Sequence, residues 1–161
     1  MNSFGRLFRV SLFGESHGEN IGIVIDGCPA GLELSAADFY ADLKRRQAGA
    51  EGTTPRKERD VPIIGSGVWG RRTTGSPIII YFRNEEFKSR DYQKSRDLPR
   101  PGHADFVAWF KFGGYQDHRG GGHFSGRLTA GLVAAGVIAK KNSPTGSDPG
   151  LIDRGGRGQR H

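Results

Sequence analysis

The chain is 161 residues long, carries 24 Lys and Arg against 17 Asp and Glu, and has a single cysteine, Cys28. That length suits one domain with its own core, and one cysteine excludes an internal disulfide or a cysteine-based metal cluster, so no metal site is expected. A net charge of +7 favours an anionic partner, whether phosphorylated metabolite, nucleotide or nucleic acid; with no apolar run near the ~20 residues that span a bilayer, a cytoplasmic protein without membrane contact is expected.

Leu7 to Phe13 and Ile21 to Ile25 are short, apolar and rich in β-branched residues, which predicts two strands. Between them Gly14-Glu15-Ser16-His17-Gly18 forms a tight turn that presents a carboxylate, a hydroxyl and an imidazole together, beside glycines that let backbone approach a ligand. Asp26 to Gly31 is a further turn. Ser35, with Asp38 three residues on, predicts a capped helix whose apolar positions Ala36, Phe39, Tyr40 and Leu43 recur at helical spacing, ending in Lys44-Arg45-Arg46. Gln47 to Asp60 is polar, basic and without periodicity, a loop able to close over an anion. Val61 to Val68 and Ile78 to Phe82 are predicted as two more antiparallel strands, a hairpin with a wide connection through Trp69 to Gly75. Asn84 to Asp97 is polar and charged and is expected to be a surface excursion.

The prolines of Leu98-Pro99-Arg100-Pro101-Gly102-His103-Ala104-Asp105 hold the backbone extended around Arg100, and Gly102 delivers His103 to the start of a helix running through Phe106, Trp109 and Phe110. The positive end of that helix would disfavour an imidazolium. Asp117 to Arg127 follows, with Gly120-Gly121-Gly122-His123-Phe124-Ser125 leading into a helix over Leu128 to Lys141 that is apolar on nearly every side and therefore expected in the core. Glycine-rich backbone before a helix N-terminus, with Ser125 and Arg127 as further donors, predicts an anion cradle. From Asn142 to His161 the pattern breaks into Gly, Pro and Arg, which predicts disorder.

Gly-Glu-Ser-His-Gly at 14–18, Arg-Pro-Gly-His-Ala-Asp at 100–105 and Gly-Gly-Gly-His-Phe-Ser-Gly-Arg at 120–127 occur in one order and spacing, and in these motifs the sequence closely resembles the chorismate synthase family. The resemblance runs from Phe4 to Lys141, so residues 1–141 are expected to be the N-terminal portion of that family's domain and 142–161 a tail foreign to it. It implies an α+β fold, the N-terminal part of a β-α-β sandwich with mainly antiparallel sheet packed on helices. It implies an anti-1,4-elimination of phosphate from 5-enolpyruvylshikimate 3-phosphate to give chorismate, with reduced FMN as cofactor and NADPH as a candidate reductant.

Carried over by resemblance, His17 and His103 would be catalytic, His17 as general acid to the leaving phosphate and His103 in holding the protonation state of the reduced flavin. Ser16, Arg46, Arg100, Ser125 and Arg127 would bind substrate; His123, Phe124, Ser125 and Arg46 would contact the cofactor. A further family arginine is replaced by Gly52, with Arg56 nearby. Members are much longer: their C-terminal part supplies further FMN contacts and an aspartate used in proton removal, and the full-length family forms a homotetramer. The short form is therefore expected to bind FMN weakly, and its Leu128 to Lys141 helix to keep an apolar face uncovered. The competing class is a nucleic-acid-binding module, on the strength of the +7 charge and the Arg/Gly stretches at Arg119 and at Arg154 to Arg160.

Overall fold

The computed structural model describes residues 2–47, 58–85 and 98–143. In chain order the strands are β1 (Ser3–Phe4), β2 (Arg9–Gly14), β3 (Asn20–Asp26), β4 (Ile63–Ile64), β5 (Val68–Trp69), β6 (Arg72–Thr73) and β7 (Ile78–Arg83), and the α-helices are α1 (Tyr40–Arg46), α2 (Asp105–Phe112) and α3 (Thr129–Asn142). Five strands make one sheet in the order β1-β2-β3-β7-β4 with every neighbour antiparallel, and β5 pairs with β6 as a separate small ribbon. The α+β reading with a mainly antiparallel sheet therefore holds.

Period-two patterning explains the sheet. The register sets Leu12, Ile23, Ile80 and Ile64 in one row across β2, β3, β7 and β4, and Val10, Ile25 and Ile78 in the next on the same face. Ile21, Ile23, Ile25, Ile78, Ile80 and Phe82 on this face are wholly buried. Against it lies α3, whose Gly131 meets Ile23 and Leu12 so closely that a β-carbon there would stand 2.7 Å from Ile23 Cγ2. Helix α1 packs on α3 through Leu43, and ion pairs from Lys141 to Asp38 (2.7 Å) and from Lys140 to Asp42 tie the two together at the C-terminal end of α3.

Several expected elements differ. Leu7 is exposed and outside β2, which begins at Arg9 opposite Asp26, because the Leu7 carbonyl packs against Gly27 where the chain leaves the sheet. The expected strand from Val61 to Val68 is interrupted: only Ile63–Ile64 joins the sheet, and Val68 pairs instead with Thr73. The Ser35 helix opens with a 3-10 turn over Ala36–Phe39, with the Asp38 carboxylate accepting from the Ser35 amide at 2.7 Å. Helix α3 is not buried all round: Leu132 is 38% exposed and a side chain at Gly136 would meet open space, in line with the expected uncovered face. Of the tail expected to be disordered from Asn142, Asn142 itself closes α3, and 144–161, like Gly52 and Arg56, lies outside the described residues.

Candidate active site

The site is assembled around three glycines. Gly120, Gly121 and Gly122 have φ of +59°, +83° and +53°, a run in the left-handed region that L side chains rarely enter. Space demands glycine as well: a β-carbon at 120 would lie 2.6 Å from His17 Nε2 and 3.2 Å from Ser16 Oγ, and one at 122 would collide with the Asp117 carbonyl. At 121 the same construction comes within 3.8 Å of Arg100 Nη2 and 3.9 Å of Ser125 Cβ. One turn thus carries Ser16 and His17 on one flank and Arg100 and Ser125 on the other.

Hydrogen bonds stitch this turn to the 14–18 loop. The Ser16 amide donates to the Gly122 carbonyl at 3.1 Å, and His123 Nδ1 donates to the Gly14 carbonyl at 3.2 Å, its Nε2 lying 2.9 Å from the Asn2 carboxamide. Ser16 and His17 are buried, at 2% and 6% exposure. Phe124 is half exposed beside Phe112.

Arg127, expected as a donor to a bound anion, is instead turned to partners within the chain. It is buried and its guanidinium is engaged on every nitrogen: Nε donates to Asn84 Oδ1 at 3.0 Å, Nη1 to Asp60, and Nη2 to the Arg83 carbonyl at 3.5 Å, with Glu58 4.0 Å away. Arg46 donates to the second oxygen of the same Asp60 at 2.8 Å and to Thr129 Oγ1 at 3.2 Å. The two arginines are thereby held side by side by one buried carboxylate, whose own backbone sits at φ +50°. The anion cradle expected ahead of α3 is also partly spent: the Ser125, Arg127 and Leu128 amides donate to the Gly122 carbonyl, Ser125 Oγ and the Ser125 carbonyl respectively.

Arg100 clamps Asp105 bidentately, at 2.7 and 2.8 Å, and this guanidinium holds the Asp105 carboxyl below the ordinary carboxylate range. Burial pushes Asp117 up, but the bidentate Arg119 guanidinium and the Arg119 amide outweigh it, and the net direction is down. Arg119, one support of the nucleic-acid reading, is thus committed within the chain. His103 stands apart from the Asp60–Arg127 network: it is exposed, precedes α2 by two residues, and its Nδ1 donates to the Pro101 carbonyl at 3.1 Å. Beside the turn opens a cavity of about 520 Å³ walled by Phe13, Trp109, Phe112, Tyr115, Phe124 and Gly121.

Sequence reasoning missed Asp60 and Asn84. Asn84 Nδ2 donates to the carbonyls of Glu15 (3.1 Å) and Gly18 (2.7 Å), so the residue expected to open a surface excursion is a buried brace. Its signal was present: Ile78, Ile80, Phe82 and Asn84 are spaced by two, and continuing the period carries a polar residue onto the buried face. Asp60 had no such signal.

A family model described as chorismate synthase matches residues 8–143. The chain belongs to the chorismate synthase family. It is 67% identical over 141 residues to a chorismate synthase of Chitinophaga pinensis, covering 88% of this chain and 42% of that protein. Over 142 residues it is 54% identical to that of Ignicoccus hospitalis, covering 87% of this chain and 37% of the relative. A crystal structure of chorismate synthase superposes with a TM-score of 0.57 at 33% identity, covering 84% of this chain and 34% of that one. The chain spans about two-fifths of the length of the curated chorismate synthases it matches. These matches lend the nucleic-acid reading no support.

Proposed function

We propose that this chain carries the N-terminal half-site of a chorismate synthase, a carbon-oxygen lyase that removes phosphate from 5-enolpyruvylshikimate 3-phosphate in aromatic biosynthesis. The observation that supports it most is the triglycine turn, which sets an acid-capable imidazole and a hydroxyl on one flank and a guanidinium and a hydroxyl on the other. In a 1,4-elimination the C–O bond to phosphate breaks with its electron pair going to the leaving oxygen, while a ring proton departs. His17 donates a proton to that oxygen and Ser16 hydrogen-bonds the same group, which lowers the charge developing on it. Ser125, and Arg100 where a substrate anion competes with its Asp105 clamp, bind the phosphate or carboxylates from the other flank, for which a guanidinium fork is well shaped. Arg46 and Arg127, now bridged by Asp60, supply positive potential and become ligands only where a substrate anion competes with that carboxylate.

The aromatic cavity fits a flavin ring. Its volume lies in the range of small-molecule sites, about 300–1,000 Å³, its walls include the rings of Phe13, Trp109, Phe112, Tyr115 and Phe124, and the buried Oε1 of Gln116, also in the wall, lacks a hydrogen-bond donor. His123 and Phe124 in the cavity wall, with Ser125 next to them in the chain, would hold reduced FMN, Arg46 would reach it only from outside that wall, and His103 would keep its protonation state; when bound, the flavin supplies electron density to the elimination without net oxidation. NADPH would serve as reductant, and a cytoplasmic homotetramer would be the form of the full-length protein.

The test uses reduced FMN and 5-enolpyruvylshikimate 3-phosphate under anaerobic conditions, with chorismate followed by absorbance and phosphate release in parallel. The 161-residue chain alone is expected to bind FMN weakly in fluorescence titration, and the chain extended by the remaining residues of the Chitinophaga pinensis relative to turn over. His17→Ala in the extended chain should slow turnover about 10²–10⁴-fold, the usual worth of a positioned general acid. An extended chain without phosphate release, or one indifferent to His17→Ala, would overturn the proposal.

A further inference from the structure

Asn84 stands where the two halves of the polar site meet. The residue is buried, at 8% exposure, and its side chain meets three partners at once: both Nδ2 hydrogens go to the carbonyls of Glu15 and Gly18, and Oδ1 accepts from Arg127 Nε. The two carbonyls bracket Ser16 and His17. The Asn84 amide adds a fourth bond, to the Glu19 carbonyl at 3.0 Å, which anchors the residue itself at the end of β7. Through Arg127 and Asp60 the chain of contacts continues to Arg46.

No other common side chain serves at this position. Aspartate keeps the acceptor for Arg127 but turns an oxygen on two carbonyls; serine and threonine offer one hydrogen and a shorter reach; glutamine, longer by a methylene, sets its amide off the three partners that Asn84 meets at once. We propose that Asn84 is a positioning residue that sets the His17 turn and the Arg127 guanidinium in one fixed relation, so that proton donor and cations act on the same leaving group. This rests on the elimination chemistry proposed above. The benefit is geometric: a catalytic group displaced by ~1 Å loses on the order of 10² in rate.

The test begins with the apo 161-residue chain, by NMR. In the wild type the Asn84 carboxamide and Arg127 Nε protons should exchange slowly, and Arg127→Lys should shift the His17 imidazole signals. In Asn84→Asp, Arg127 Nε–H should stay protected while the His17 signals move, and Arg127→Lys added to it should give no further shift at His17. A purely structural asparagine would leave the Arg127→Lys effect intact in both backgrounds, and that result overturns the proposal. Should Asn84→Asp fail to fold, the wild type decides: carboxamide protons exchanging like those of an exposed asparagine overturn it, and slow exchange supports it.

In the extended chain, Asn84→Asp should lower kcat at least tenfold with the substrate KM within about threefold, and an unchanged kcat would overturn the proposal. Absence of turnover in the wild-type extended chain sinks the elimination reading alone, because the NMR coupling is read without substrate.

Discussion

The β3–β7 ladder and the Gly120–Arg127 loop are neighbours held by opposite means. In the ladder, Ile21, Ile23 and Ile25 face α3 beside Ile78, Ile80 and Phe82, all wholly buried, and the stabilisation is area removed from water, which has no direction. Around the loop it is polar residues that are buried, Arg127 from the loop itself and Ser16, His17, Asp60 and Asn84 from segments packed near it, and there each polar atom must find a partner at the right distance. The ladder therefore tolerates changes of shape that keep volume, whereas the loop tolerates almost none. The two also meet: β7 ends its apolar alternation in Asn84, so the ladder's register aims the brace of the site.

The sharpest way to break the loop while sparing the ladder is Asp60→Asn. It keeps the shape but leaves Arg127 and Arg46 without their shared carboxylate, and breaking a buried pair from one side costs about 3–5 kcal/mol. Glu58, 4.0 Å from Arg127, should hold the loss near the lower end. Urea denaturation measures it, and a midpoint equal to the wild type would mean that the ion pairs carry no net stability.

Ile23→Ala attacks the ladder instead. Roughly 2–5 kcal/mol is expected for removing a fully buried isoleucine side chain, toward the low end because Gly131 lets α3 settle inward. The loop should survive, read as unchanged His17 NMR signals at a temperature where both proteins are folded. Loss of those signals would show that ladder and loop unfold as one unit.

The two helix glycines sharpen the contrast further, with opposite signs. Gly131→Ala puts a methyl 2.7 Å from Ile23 Cγ2 and 3.2 Å from Leu12 Cδ2, an overpacking of about 1–3 kcal/mol against a helix-propensity gain near 1 kcal/mol, so the melting temperature should fall. Gly136→Ala meets open space and should raise stability by up to about 1 kcal/mol. Equal shifts in thermal melting would refute the packing of α3 on the sheet.

The smallest effect is electrostatic. Arg100 holds the Asp105 carboxyl below its ordinary value, so the pair stabilises the fold above the unfolded-state pKa, and this contribution is lost as pH falls through the lower folded-state value. With Arg100 29% exposed it should amount to less than about 1 kcal/mol. Asp105→Asn should flatten the acid limb of stability below about pH 4, the ordinary aspartate range, and an unchanged limb would assign that limb to other carboxylates.

What could be read in the sequence alone follows from local physics. The alternation in 21–25 and 78–82, the Ser35 start, the α3 helix and the three glycine-bearing motifs with their resemblance to chorismate synthases were all legible, because strand period, capping and motif spacing depend on residues close along the chain. The interruption of the Val61 to Val68 strand, the burial of Arg127, the service of Asp60 to two arginines and the bracing by Asn84 were decided by tertiary structure. Each depends on a partner far away in sequence: Asp60 lies 67 residues from Arg127, and Asn84 lies 66 from Gly18. A charged residue looks the same in the sequence whether it meets water or a buried counter-charge, and only the packed fold removes the water.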